Sequence, residues 1–269
     1  MKWRKEYSRI KSEYKTVLTN YTMSSKDEKE CEKIFKGERY YATLYRDIDK
    51  YVFEFVVADY ESLDILLKEL PTNTVINILY REYCEFDDFF RGKGLTMYST
   101  YQRTTISYHS NPYLVPETSK RRQLLPQMYD ATCGEYPSID DAEELDALCR
   151  KVFDPLCDDM FTIEEWKQKI RDKEVMVYRS PEGITAYYLW RIEGKKLYSN
   201  MSVNIGAANT LYNIERRIFE EAWEKGIRVF YGWGRLTNIK AKNHAMPADA
   251  IYKCASSISR LKCNTYLKR

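Results

Sequence analysis

Ile214-Glu215-Arg216-Arg217-Ile218-Phe219-Glu220-Glu221-Ala222-Trp223-Glu224-Lys225-Gly226-Ile227-Arg228-Val229-Phe230-Tyr231 reads as a helix running straight into a strand. The spacing predicts a long helix over roughly 209–225. It stops at Gly226, a residue that takes the left-handed conformation at a helix end without a Cβ penalty. A strand is predicted over 227–233. Working back, turn residues separate three strands. Strands are predicted over 174–179 and 183–192, split by the turn Ser180-Pro181-Glu182-Gly183, and over 196–204 after Glu193-Gly194. Two helices precede them. Ser138-Ile139-Asp140-Asp141-Ala142-Glu143 supplies a polar cap and an acidic first turn for a helix reaching about Phe153. Thr162-Ile163-Glu164-Glu165 is a capping box for a second, ending near Lys173. A strand around 124–132, a polar helical stretch over 237–244 and a last strand near 261–267 complete this half.

The amino-terminal half follows a related order. Two amphipathic helices are expected in the first 36 residues, the second placing Cys31, Ile34 and Phe35 on one side. An antiparallel pair is expected over 40–45 and 51–57, then a short helix over 61–70 closed by Pro71. A strand over 74–80, a short helix around 84–90 ended by Gly92 and Gly94, and a long strand over 95–108 follow. The last strands, Leu95-Thr96-Met97-Tyr98 onward and Leu261-Lys262-Cys263-Asn264 onward, share Leu, Thr, Tyr and Arg at similar offsets, which suggests an internal duplication. Pro112, Pro116, Pro126 and Pro137, with Lys120-Arg121-Arg122, mark the boundary region. The expected organisation is a first domain over 1–110, a linker over 111–126 and a second domain over 127–269, of α/β (α+β) class with mixed central sheets flanked by helices.

Composition excludes several functions. The chain has 269 residues, 44% of them hydrophobic, enough for one large domain or two small ones. No apolar run reaches the length of a membrane span, and Met1-Lys2-Trp3-Arg4-Lys5-Glu6 leads into no hydrophobic segment, so a cytoplasmic protein with no membrane partner is expected. The 43 basic and 40 acidic residues are interleaved, and no basic stripe for a nucleic acid emerges. The seven cysteines contain no CxxC pair and have no neighbouring histidines, so neither a metal site nor a disulfide framework is expected. Tyrosine, at 24 residues, is in excess and names no function alone.

From about Gln127 to Arg269 the element order resembles the Gcn5-related N-acetyltransferase (GNAT) superfamily. Ser138-Ile139-Asp140-Asp141-Ala142-Glu143-Glu144-Leu145 is similar to its first helix, and 214–231 to its central helix-strand unit. The amino-terminal half is similar to the same fold without a cofactor loop, because 52–58 runs through Asp59-Tyr60 into a helix with no glycine. The resemblance therefore implies tandem GNAT-like domains with a degenerate first half.

The resemblance implies an acyltransferase that moves an acetyl or other acyl group from CoA, or from the phosphopantetheine of an acyl carrier protein, to the amine of a small molecule or peptide. Backbone amides near Met201 and Val203 would polarise the carbonyl. Gly206, Ala207, Ala208, Asn209 and Thr210 would surround the pyrophosphate, although the family's Q/R-x-x-G-x-G/A loop is degenerate here. Physics favours that placement, since a helix start offers unpaired N–H groups and positive dipole charge to an anion. Asn238 would face the pantetheine arm. For the proton returned to the thiolate, Tyr252 and His244 are the candidates, and Glu193 or a water chain would deprotonate the amine. Two other readings stay open: a Fem-like aminoacyl ligase, and a non-catalytic GNAT-fold protein for binding or assembly.

Overall fold

A computed structural model describes residues 2–22, 25–26, 28–114, 129–238 and 248–269. The elements in chain order are α1 (Lys2–Tyr14), β1 (Leu18–Thr19), β2 (Lys33–Lys36), β3 (Tyr40–Asp47), β4 (Lys50–Val57), α2 (Tyr60–Lys68), β5 (Thr74–Tyr80), α3 (Asp87–Gly92) and β6 (Thr96–Tyr108). Then come α4 (Ala142–Val152), α5 (Ile163–Arg171), β7 (Val175–Ser180), β8 (Gly183–Glu193), β9 (Lys196–Asn204), α6 (Ala208–Glu224), β10 (Val229–Arg235), α7 (Ala248–Cys254) and β11 (Ala255–Lys268). The class is the expected one, with mixed sheets flanked by helices. From β2 to β6 and from β7 to β11 the elements repeat as three strands, helix, strand, helix, strand.

The chain forms two compact units. The first comprises Met1–Tyr101, Asp154–Met160 and Leu261–Arg269; the second comprises Gln102–Phe153 and Phe161–Arg260. In the first unit β2, β3 and β4 form an antiparallel meander and β4 pairs in parallel with β5. The outer partner of β5 is the end of β11, antiparallel from Lys262↔Tyr80 to Lys268↔Thr74. Phe53, Phe55, Leu63, Leu66, Ile76, Phe90 and Tyr266 fill one face of this sheet. Alternation along β4 sends Val56 to the opposite face, where Ile10 of α1 packs with Tyr21 and Tyr41.

The second helix expected in the first 36 residues does not form among the described residues. Only a 3-10 turn, Glu28–Glu30, occupies part of it. Lys33-Ile34-Phe35-Lys36 is instead β2, paired with 41–44 of β3, because Phe35 reaches the apolar core only in that register. The strand expected around 124–132 falls mostly outside the described residues, and its described end, 129–132, is loop. Most of the expected linker and most of the 237–244 helix also lie outside them. The last strand is longer than expected, starting at Ala255.

In the second unit β7, β8 and β9 form an antiparallel meander, and β9 pairs in parallel with β10. The next strand after β10 is β6. The first turn of α5 carries the full capping box: the Glu165 amide donates to Thr162 Oγ1, and the Thr162 amide donates to the Glu165 carboxylate at 2.7 Å. That box fixes Trp166, fully buried and edge-on to Tyr187 of β8. On the other face α6 lays Leu211, Ile214, Ile218, Phe219 and Ala222 against Tyr188, Leu197 and Phe230.

Candidate active site

Strands β9 and β10 pair from Val229↔Lys196 to Gly232↔Ser199 and then part, although β9 continues to Asn204 and β10 to Arg235. Two local features mark the point of divergence. The register between β8 and β9 slips, so that Leu189 faces Met201 while Trp190 faces Ser199, leaving Asn200 as an extra residue that bends β9. On the other strand, a Cβ at Gly232 would stand 3.0 Å from the Ser199 carbonyl oxygen, so glycine lets the two backbones approach closely at the last paired rung.

Under this parting lies a cleft of about 360 Å³, within the range of small-molecule sites. Its walls come from β6 (Gln102, Thr104), β9 (Leu197, Ser199), β10 (Phe230, Gly232) and the inner face of α6. One carboxylate stands in that face. Glu215 occupies the same helical stripe as Leu211, Ile218, Phe219 and Ala222, and it makes no hydrogen bond or ion pair among the described residues. Half-buried in the cleft wall, it is pushed up to about 7 by loss of solvent. Tyr188, also in the wall, donates to Ser199 Oγ at 2.7 Å. Burial first, then the nearby Glu215 charge, holds the Tyr188 and Tyr108 hydroxyls above the ordinary phenol range. The site thus combines a carboxyl poised near neutrality with hydroxyls kept protonated.

The predicted loop before α6 forms a compact turn. Asn204 Oδ1 accepts from the Gly206 amide at 3.0 Å and its Nδ2 donates to the Ala207 carbonyl at 2.9 Å. Ala207 is the N-cap residue, so no side chain caps the helix, and the first turn carries no acid. A Cβ at Gly206 would stand 3.1 Å from Thr185 Oγ1, a buried hydroxyl with no partner among the described residues. Gly206 and Ala207 are exposed, Asn209 is half-buried and Thr210 is buried. The start of α2 differs: Asp59 caps it by accepting from the Ser62 amide at 2.8 Å and pairs with Arg39. A carboxylate already occupies the place an anion would take.

The other predicted site residues separate. Asn238 lines the cleft. Met201 and Val203 are buried on β9. Tyr252 lies on α7 and is 64% exposed, while its neighbour Ile251 reaches the cleft. His244 lies outside the described residues. Glu193 accepts from the Tyr231 hydroxyl and pairs with Arg191 at 2.6 Å; the Tyr231 bond first, then Arg191, holds its carboxyl below the usual range. Sequence reasoning missed Glu215. The available signal was a single acid inside the apolar stripe of a long helix, at three- and four-residue spacing from Leu211, Ile218 and Phe219.

No protein-family model matches the sequence, and no curated protein is significantly similar to it. The structure does have relatives, and the fold is that of the GCN5-related N-acetyltransferases. A GNAT-family protein of Novosphingobium aromaticivorans superposes with a TM-score of 0.51 at 11% identity, over 85% of this chain and 88% of that one. A GCN5-related N-acetyltransferase from Sphaerobacter thermophilus superposes with a TM-score of 0.52 at 10% identity, over 84% and 76%. Among the described residues no group of three or more His, Cys, Asp or Glu is placed to hold a metal, and no helix is long and apolar enough to cross a membrane.

Proposed function

We propose that the protein transfers an acyl group from CoA, or from a phosphopantetheine carrier, to an amine, and that the second unit carries the chemistry. The observation that carries this reading is the unpaired Glu215 carboxyl, raised to about 7, in the cleft beneath the parting of β9 and β10. The uncapped start of α6, with Gly206 close to the unpartnered Thr185 hydroxyl, fits a pyrophosphate, since small residues and free helix-start amides admit an anion. The first unit, with Asp59 across its equivalent helix start, is a non-binding partner domain in this reading, and the pair is a tandem arrangement.

The amine nitrogen attacks the thioester carbonyl, forming the C–N bond. The C–S bond then breaks, and its electron pair leaves with sulfur. Glu215 takes the proton from the nitrogen and returns it to the thiolate; Tyr252 and His244 are the alternative donors for that last proton. Amides of β9 past its bulge, near Met201 and Val203, meet the carbonyl oxygen as charge develops on it. Calorimetry with acetyl-CoA tests the reading. Micromolar binding that fails in Ala207→Glu supports it, and absence of binding to the native chain overturns it in favour of a non-catalytic role.

A further inference from the structure

On the face of β10 opposite Phe230, alternation brings out Tyr231 and Trp233. Tyr231 stacks on Tyr198 of β9, with centroids 4.9 Å apart and planes at 21°. Arg191 covers the other ring at 4.9 Å and is neutralised by Glu193. Arg103 of β6 lies over Tyr231 at 5.8 Å and over Trp233 at 5.7 Å. It is half-buried and makes no hydrogen bond or ion pair among the described residues.

This arginine departs from the habit of the chain. Arg9, Arg150, Arg179, Arg191 and Arg216 each meet a carboxylate at 2.6–2.9 Å. Arg228 spends its charge on the carbonyls of Trp223 and Ile227. Arg191, Arg216 and Arg228 also lie over rings, but Arg103 alone of these has ring contacts and no hydrogen bond or ion pair among the described residues, which leaves its N–H fork to a ligand. Glu193, the carboxylate bound to the Tyr231 hydroxyl, is already taken by Arg191.

We infer that Arg103 and Trp233 recognise a carboxylate on the acceptor, making the acceptor an amino-carboxylate and not a neutral or polycationic amine. This rests on the acyl-transfer reading above. Trp233 is the first residue of β10 beyond the last rung with β9, so a ligand body lying along its ring runs from Arg103 towards the parting of the strands. A carboxylate matches a single guanidinium in charge and in planar two-point geometry, whereas a phosphate dianion would keep one charge uncompensated.

Calorimetry with 4-(aminomethyl)benzoate and with benzylamine, which differ by the carboxylate, tests this on the whole chain. Acetyl-CoA is titrated separately. Native protein is expected to bind the carboxylated amine at least about ten-fold more tightly, as a charge-assisted bond predicts. Arg103→Met should abolish the difference, Arg103→Lys should keep part of it, and acetyl-CoA affinity should be unchanged in both. Equal binding of the two amines by native protein, or a preference that survives in Arg103→Met, overturns the inference. A preference that disappears with Arg103, in a chain that does not bind acetyl-CoA, upholds the carboxylate site and overturns the acyl-transfer reading instead.

Discussion

The Tyr188 hydroxyl donates to Ser199 Oγ across 2.7 Å, and Ser199 is the last residue of β9 paired with β10. The bond ties β8 to the rung at which the sheet opens, and it directs the Tyr188 proton away from Glu215. The carboxyl is therefore left without a donor, and burial alone sets its affinity for a proton.

A base must be ionised to act, so acyl transfer in the native protein should rise with pH through about 7, the value at which Glu215 titrates. Glu215→Gln should lower turnover by about 10²–10⁴-fold and flatten that limb of the pH–rate profile. An unchanged profile in the variant would assign the titration to another group.

Ala207→Glu separates folding from binding. The new acid sits at an exposed N-cap, where it favours the helix by roughly 0.3–1 kcal/mol. The melting temperature should hold or rise slightly while acetyl-CoA affinity drops by about ten-fold or more through repulsion of the pyrophosphate.

In the first unit Glu54 is buried, with Oε1 accepting from Ser25 at 2.6 Å and Oε2 unpartnered among the described residues. Burial pushes it up to about 7, above its value in an unfolded chain. The folded state thus binds the proton more tightly, and stability is fully present below the ordinary carboxylate pKa and falls as pH rises through about 7. Glu54→Gln should flatten this loss, on the order of 2 kcal/mol between pH 5 and 8, in denaturant titrations at the two pH values.

Thr162→Ala removes the hydroxyl that accepts from the Glu165 amide. It should cost about 1 kcal/mol in urea unfolding, with no effect on acetyl-CoA affinity.

The core of the fold was legible where local chemistry and burial agree. The capping box at Thr162, the stop at Gly226 and the turn Ser180-Pro181-Glu182-Gly183 between two strands each specify an element without help from afar. The stretch 28–36 was misread because Ile34 and Phe35, adjacent apolar residues flanked by lysines, suit a helix edge and a short strand equally. The choice was made by the pairing of Phe35 with Ala42. The loop before α6 could be located by its small residues, whereas Glu215 could not, since a helix stripe does not reveal which of its positions borders a cleft. Arg103 was equally silent, because its meaning depends on two rings from another strand.

Residues 261–269 belong to the first unit, and they supply the outer neighbour of β5. The Tyr80 hydroxyl bonds Asn264 from 184 positions away. During synthesis β5 therefore waits with an open edge while the whole second unit is translated, an interval in which a nascent chain is exposed to strand-adding partners and to chaperones. The first unit is thus completed by residues made after the second, and a chain stopped before residue 261 would leave β5, made early, without this partner.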